Sequence, residues 1–438
     1  MEVHHDERLR ETIYWETLPS GLRVGVLPRK GWRETTGRVA VNYGSNDSRW
    51  IPPGETEPVE VPAGIAHFLE HKLFESEEGN AFDRFAALGA DANAYTSNQQ
   101  TVYYFSTTDR VPECLETLLD MVQTPYFTDQ TVEKEQGIIE QEIRMYLDHP
   151  EWRSRQNLLE ALYQKHPVRI DIAGTVESIR QITKEQLYRC HATFYHPSNM
   201  MVFVAGDVDP QAVIQQVADN VEKRGYRPQP PVQRLYEPEP AEVAERRREQ
   251  ELAVSQPIFR LGFKDRRVGE TGRDLLRKEL LTSVVLDGII GKATPLYNEL
   301  YEAGLIDGRF GFDYTGEPTY GYTTFAGPTR DPEALEARLL EGIEKARRQG
   351  LESYDFERAK RKALGRFLSM LNSTEMIAYV VNDGFFKNIG LFDVLPVAES
   401  LTLDEANERL REHFDPQYAV TSIIWPHKGA QSKAAAAN

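Results

Sequence analysis

Tyr95-Thr96-Ser97, with Tyr103 following, returns downstream as Tyr314-Thr315-Gly316, with Tyr322 following. The correspondence continues along both halves of the chain. Pro112-Glu113-Cys114-Leu115 matches Pro332-Glu333-Ala334-Leu335, each opening a helical pattern, and Val132-Glu133-Lys134 matches Phe356-Glu357-Arg358 at the head of the next helix. Phe194-Tyr195-His196-Pro197, before the apolar run Met200 to Ala205, matches Phe414-Asp415-Pro416 before Val420 to Trp425. Chance likeness of common patterns is the competing explanation. The shared order, at an offset of roughly 220 residues, favours a duplicated unit.

Period-2 alternation in Leu22 to Leu27, Gly37 to Tyr43 and Val102 to Ser106 predicts strands. Helical periodicity is clear around 64–75, 111–123, 129–147, 183–194 and 333–348. The expected fold class is α+β: two homologous α/β-sandwich domains, each a mostly antiparallel sheet flanked by helices. The first domain is expected over 1–223, a linker over 224–251, the second domain over 252–427 and a disordered tail over 428–438. The linker rests on Pro228, Pro230, Pro231, Pro238 and Pro240 ahead of a charged run. The tail rests on its Ala- and Lys-rich composition.

At 438 residues, 40% hydrophobic and 27% charged, the chain has the composition of an ordinary globular protein. No apolar run approaches the roughly 18 residues of a membrane span. The segment Met1 to Trp15 is too charged for a secretory leader. Two cysteines, Cys114 and Cys190, make a disulfide framework implausible and point to the cytoplasm. A net charge of −17 argues against a nucleic-acid partner. Cys114 falls on a helical pattern beside Leu115 and Leu118 and reads as packing, while His166, His191 and His196 lack metal-like spacing and read as structural.

His67-Phe68-Leu69-Glu70-His71 carries the chemistry. On a helix, positions i and i+4 lie about 40° apart and i+3 about 60° to the other side. His67 and His71 can therefore hold one metal ion, with the Glu70 carboxylate beside the water it carries. This is H-x-x-E-H, the inverted form of the H-E-x-x-H helix of zinc proteases. A solvated helix face with an incidental histidine pair is the alternative.

Zinc held by two His needs a further protein ligand, and hydrolysis needs an open position. The helix expected from Asp129 to about Asp148 offers Glu133, Glu135, Glu140 and Glu142. Glu135 and Glu142 share a face across two turns, with Ile138 and Ile139 between them and Ile143 and Tyr146 continuing it. A carboxylate in an apolar stripe is costly to bury unpartnered, and a metal ion is one partner. A solvated stripe with Lys134 and Arg144 is equally compatible with the periodicity. The second copy favours the metal. Ala359 stands at the register of Glu135 and Arg366 at that of Glu142, and no histidine lies between Asp287 and Tyr297.

Gly64 to His71, Asn93-Ala94-Tyr95-Thr96-Ser97, Val102-Tyr103-Tyr104, Glu133 to Ile143 and His196-Pro197-Ser198-Asn199-Met200 together resemble the pitrilysin, insulysin and mitochondrial processing peptidase family of zinc metallopeptidases. The likeness covers nearly the whole chain. Glu70-His71-Lys72-Leu73-Phe74-Glu75 looks most like the short bacterial members that assemble from two chains. The resemblance implies a zinc-dependent endopeptidase acting on peptides or unfolded segments, with one Zn2+ per chain. It makes His67, His71 and Glu142 the zinc ligands, Glu70 the general base and Glu135 a carboxylate that steadies the site. It places Asn93 and Ala94 on an edge strand to which the peptide adds as a further strand. Independently, the alternation from Asn93 to Phe105 reads as an exposed edge, and strand addition is a recurring mode of peptide binding.

One segment departs from that pattern. Self-sufficient members carry an Arg and Tyr pair in the second half, whereas here the segment runs Leu300-Tyr301-Glu302-Ala303-Gly304-Leu305-Ile306-Asp307. Tyr301 lacks the charged fork of a guanidinium. The expected partner is a homologous subunit without the zinc motif that supplies the Arg and Tyr; a homodimer is the other possibility. A non-catalytic peptide-binding or scaffold subunit is the alternative function. Relatives of that kind usually lose the zinc residues, and this chain keeps them.

Overall fold

The structure is a computed structural model that describes residues 1–427, and the expected tail over 428–438 lies outside the described residues. Its first sheet has seven strands: β1 (Glu2–Asp6), β2 (Glu11–Thr17), β3 (Arg23–Pro28), β4 (Thr35–Val41), β5 (Asp91–Thr96), β6 (Thr101–Thr107) and β7 (Met200–Gly206). They lie in the order β1-β2-β3-β7-β4-β6-β5, antiparallel throughout except for the parallel pair β3 and β7. The second sheet has β8 (Arg247–Leu252), β9 (Ile258–Lys264), β10 (Gly311–Gly316), β11 (Gly321–Pro328) and β12 (Ala419–Pro426). Its order is β8-β12-β9-β11-β10, with β8 and β12 again the parallel pair.

The last five strands of the first sheet and the whole second sheet therefore share one topology, with a single parallel pair in the same place. The stretches that announced the repeat occupy the same hairpin: Thr96 pairs with Thr101 in the first half, and Gly316 with Gly321 in the second. Among the described residues, the hairpin β1-β2 has no counterpart in the second sheet.

Alternation explains the layers. Val24, Val26, Val39, Val41, Val202 and Val204 turn one face of the first sheet toward Leu115, Leu118 and Val122 of the helix Val111–Gln123. Phe259, Leu261, Phe263, Phe325 and Ile423 do the same under Leu335, Leu339 and Ile343 in the second. Each sheet buries one face beneath its own helices, as an amphipathic sheet requires.

The helices that matter for the site and its counterpart are α1 (Ile65–Lys72), α2 (Asp129–Leu147), α3 (Pro150–Leu162), α4 (Gly272–Ile290), α5 (Ser353–Met370) and α6 (Thr374–Phe385). Two of them cross over. One compact unit comprises 1–143, 170–236 and 370–386, and the other comprises 144–169, 237–369 and the chain from Lys387 onward. These units do not follow the contiguous boundaries 1–223 and 252–427. In the first unit α6 covers the first sheet: Phe385 stacks on Trp15 at 5.6 Å, and Asn382 Nδ2 donates to Gln100 Oε1 at 3.1 Å. In the second, α3 lies on the second sheet, where Gly262 makes room for Leu158 and Tyr163 Oη donates to the Gly321 carbonyl at 2.6 Å. Each half of the sequence thus gives one helix to the other unit.

The segment 224–251, expected as a linker, is partly strand. Gln233–Arg234 pairs with Arg49–Ile51, and Arg247–Leu252 is β8 itself. Among the described residues no helix is long and apolar enough to cross a membrane.

Candidate metal centre

Gly64 starts α1 at φ 90°, and a Cβ there would meet the Ala173 carbonyl oxygen at 2.4 Å. Only glycine fits this left-handed approach. Phe68 and Leu69, both 0% exposed, sink into the first core and fix the rotation of α1. That rotation turns His67 and His71 toward α2, where Val132, Ile139 and Ile143 are buried on the face that also carries Glu135.

The two imidazoles stand with ring centroids 4.5 Å apart. Glu142 reaches both: Oε1 lies 3.7 Å from His67 Nε2 and Oε2 lies 3.5 Å from His71 Nε2. One donor atom from each of His67, His71 and Glu142 falls within 4.8 Å of the other two. Ligands about 2.0–2.1 Å from a tetrahedral zinc are spaced about 3.3 Å apart. The donor set and its spacing therefore fit a zinc ion with small side-chain adjustment.

Glu135 Oε1 lies 3.0 Å from His71 Nδ1. A carboxylate behind a ligating imidazole fixes its tautomer and leaves the other nitrogen free for metal. His67 has no such support, and its Nδ1 is buried without a hydrogen-bond partner among the described residues. Burial, with His71 as a lesser cause, depresses the His67 pKa to about 3, so the ring is neutral and able to bind metal. His71 moves the other way. Burial lowers its proton affinity, but the Glu135 hydrogen bond and the charges of Glu70, Glu142 and Glu135 outweigh it and raise the pKa. Burial raises the Glu70 pKa against the opposing hydrogen bond from Thr96.

Of the four glutamates offered by α2, Glu135 and Glu142 join the cluster. Glu133 is exposed, and Glu140 accepts from Arg180 Nη2 at 2.8 Å. Ile138, expected on the inward face with Ile139, instead points outward at 44% exposure. Asn93 and Ala94 lie on β5, which is an edge strand of the first sheet; Asn93 is exposed and its Oδ1 accepts from the Ala94 N–H at 2.8 Å. In the second unit Tyr301 is 54% exposed, and Asp307 is paired with Arg309. Cys114 and Cys190 are buried and free. His191 bonds the Val122 carbonyl at 2.9 Å and His166 bonds Thr319 Oγ1 at 3.1 Å.

Two residues here escaped sequence reasoning. Lys72 is 0% exposed and pairs with Glu75, which also receives Lys134 Nζ of α2 at 3.3 Å. This link ties the end of α1 to α2. Thr96 Oγ1 donates to Glu70 Oε2 at 2.6 Å. Thr96 had appeared only within the repeated hairpin and the family-like stretch Asn93 to Ser97, and nothing local in the sequence joins it to Glu70.

Comparison with known proteins agrees with this architecture. Residues 50–176 match the model of the insulinase family, peptidase family M16, and residues 181–363 match that of the M16 inactive domain. The chain is 45% identical to the uncharacterized zinc protease YmfH of Bacillus subtilis, over 93% of this chain and 95% of that protein. It is 26% identical to the uncharacterized zinc protease YmxG of the same organism, over 85% of this chain and 91% of that one. The crystal structure of an M16-like peptidase from Alicyclobacillus acidocaldarius superposes with a TM-score of 0.92 at 39% identity, covering 95% of this chain and 98% of that one. The chain belongs to peptidase family M16.

Proposed function

We propose that this chain is a zinc-dependent endopeptidase that hydrolyses peptides or unfolded segments, with His67, His71 and Glu142 holding one zinc ion and Glu70 as general base. The observation that carries the reading is the convergence of these three donors within 4.8 Å. Zinc held there supplies Lewis acidity toward water and toward the scissile carbonyl. Glu135 holds His71 in the tautomer that presents Nε2. Glu70, on the same helix and bonded through only one oxygen to a side chain, accepts the water proton and passes it to the leaving amine. The open edge at Asn93 and Ala94 receives the peptide backbone as an added strand.

The M16 inactive-domain match begins at residue 181, beyond every residue of the donor set. That division supports a second half that shapes the enzyme without a metal of its own. Neither Tyr301 nor Asp307 offers a guanidinium, which supports a homologous partner subunit that supplies an Arg and Tyr pair. Cysteines left free and buried favour a reducing, cytoplasmic setting.

Metal analysis beside cleavage of a quenched fluorescent peptide, with the partner subunit from the native cell present, tests the reading. Glu70→Gln is expected to keep one zinc per chain and lose nearly all turnover, and His71→Ala to lose both. A fully active Glu70→Gln protein would refute the assignment.

A further inference from the structure

Among the described residues, the Glu70 carboxylate has one side-chain hydrogen-bond partner, Thr96. Thr96 Oγ1 stands 2.6 Å from Glu70 Oε2 and donates to it. The direction of the hydroxyl proton follows from its neighbours. Thr101, the cross-strand partner of Thr96, donates its own proton to the Tyr43 carbonyl at 2.9 Å. The contact between Thr96 Oγ1 and Thr101 Oγ1 is long, at 3.4 Å, and Thr101 enters it with no proton left to give. A threonine hydroxyl has one proton. The nearer and charged acceptor is Glu70, and hydrogen bonds to a carboxylate are the stronger kind.

Thr96 is the last residue of β5, three positions beyond Asn93 on the strand with the open edge. Its β-branched side chain has little rotamer freedom in a strand. The strand that would receive a peptide and the carboxylate that would take a proton from water are therefore joined by one short bond.

We propose that Thr96 is a positioning residue for this hydrolysis: its hydroxyl pins Glu70 Oε2, leaves Oε1 to face the attacking water, and links the base to the peptide-binding strand. The proposal rests on the peptidase reading above. A peptide paired along β5 stiffens Thr96 and through it Glu70, so that the base is in line only when the edge is occupied.

Thr96→Val keeps the branched shape and puts a methyl group in place of the hydroxyl. With the same peptide, kcat is expected to fall about tenfold to a hundredfold with KM within about threefold, the size of a lost hydrogen bond to a charged group. Zinc stoichiometry and melting temperature are expected to match wild type, and Thr96→Ser to recover kcat to within about fivefold. A crystal structure of zinc-loaded Thr96→Val is expected to show Glu70 swung from its wild-type rotamer. An unchanged kcat in Thr96→Val, an effect on KM alone, or a Thr96→Ser protein no better than Thr96→Val would overturn the proposal. Glu70→Gln separates the two readings. If it is inactive while Thr96→Val is unimpaired, only the role of Thr96 falls; if it is active, the peptidase reading falls as well.

Discussion

In the first half α1 and α2 meet across His67, His71, Glu135 and Glu142; in the second, α4 and α5 meet across Asp287, Arg358 and Lys362. Asp287 is 4% exposed, and Arg358 grips it twice, through Oδ1 at 2.7 Å and through its carbonyl at 3.0 Å, while Lys362 takes Oδ2. There the chain itself provides the cations. In the first half Glu70, Glu135 and Glu142 converge on two imidazoles, and no Lys or Arg among the described residues pairs with any of them. Buried negative charge is costly unless it is matched. One duplicated junction meets that cost in two ways: an internal ion pair in the second half, and in the first a donor set whose spacing fits a divalent cation.

The comparison can be broken most forcefully by exchanging the solutions. Glu135→Ala with Glu142→Arg gives α2 the residues that α5 carries at the same register, and zinc binding is expected to vanish from equilibrium dialysis. Retention of one zinc per chain would separate the metal from α2 altogether. Glu135→Gln alone is milder, with zinc affinity expected to fall about tenfold to a hundredfold in a chelator competition assay.

Acidity sharpens the contrast. His67 is already neutral, with a pKa of about 3, so zinc competes with a proton only at His71, whose pKa is raised. Below the His71 pKa, apparent zinc affinity is expected to fall about tenfold per pH unit, the slope of one displaced proton. A hundredfold fall per unit near neutrality would mean that both rings titrate. The smallest effect is expected in the other half. Asp287→Ala leaves two partly exposed cations without their carboxylate and is expected to cost about 1–3 kcal/mol in denaturant unfolding. Its zinc content should equal that of wild type.

What could be read from the sequence was what depends on neighbours along the chain. Period-2 and helical patterns, with the returning Tyr-Thr hairpin, were enough for two α/β-sandwich copies, and the structure bears out that fold class. His67 and His71 were legible because one helical turn brings them together. Glu142 was harder, since periodicity offered four glutamates and only a tertiary contact separates Glu142 from the solvent-facing Glu133 and the Arg180-paired Glu140. The crossing of α3 and α6 was invisible, because an amphipathic pattern says that a face is buried and not which sheet buries it. Ile138 was misplaced inward because the buried stripe of α2 is narrow and passes through Ile139 and Ile143. Nothing along the chain marks Lys72 as a buried lysine; its pairing with Glu75 from the following turn lets it be buried completely.

The most direct test is a crystal of the zinc-loaded chain with anomalous data collected at the zinc edge. One peak per chain is expected, about 2.0–2.2 Å from His67 Nε2, His71 Nε2 and a Glu142 oxygen. No peak there, or a peak coordinated by other residues with Glu142 turned away, would contradict the account.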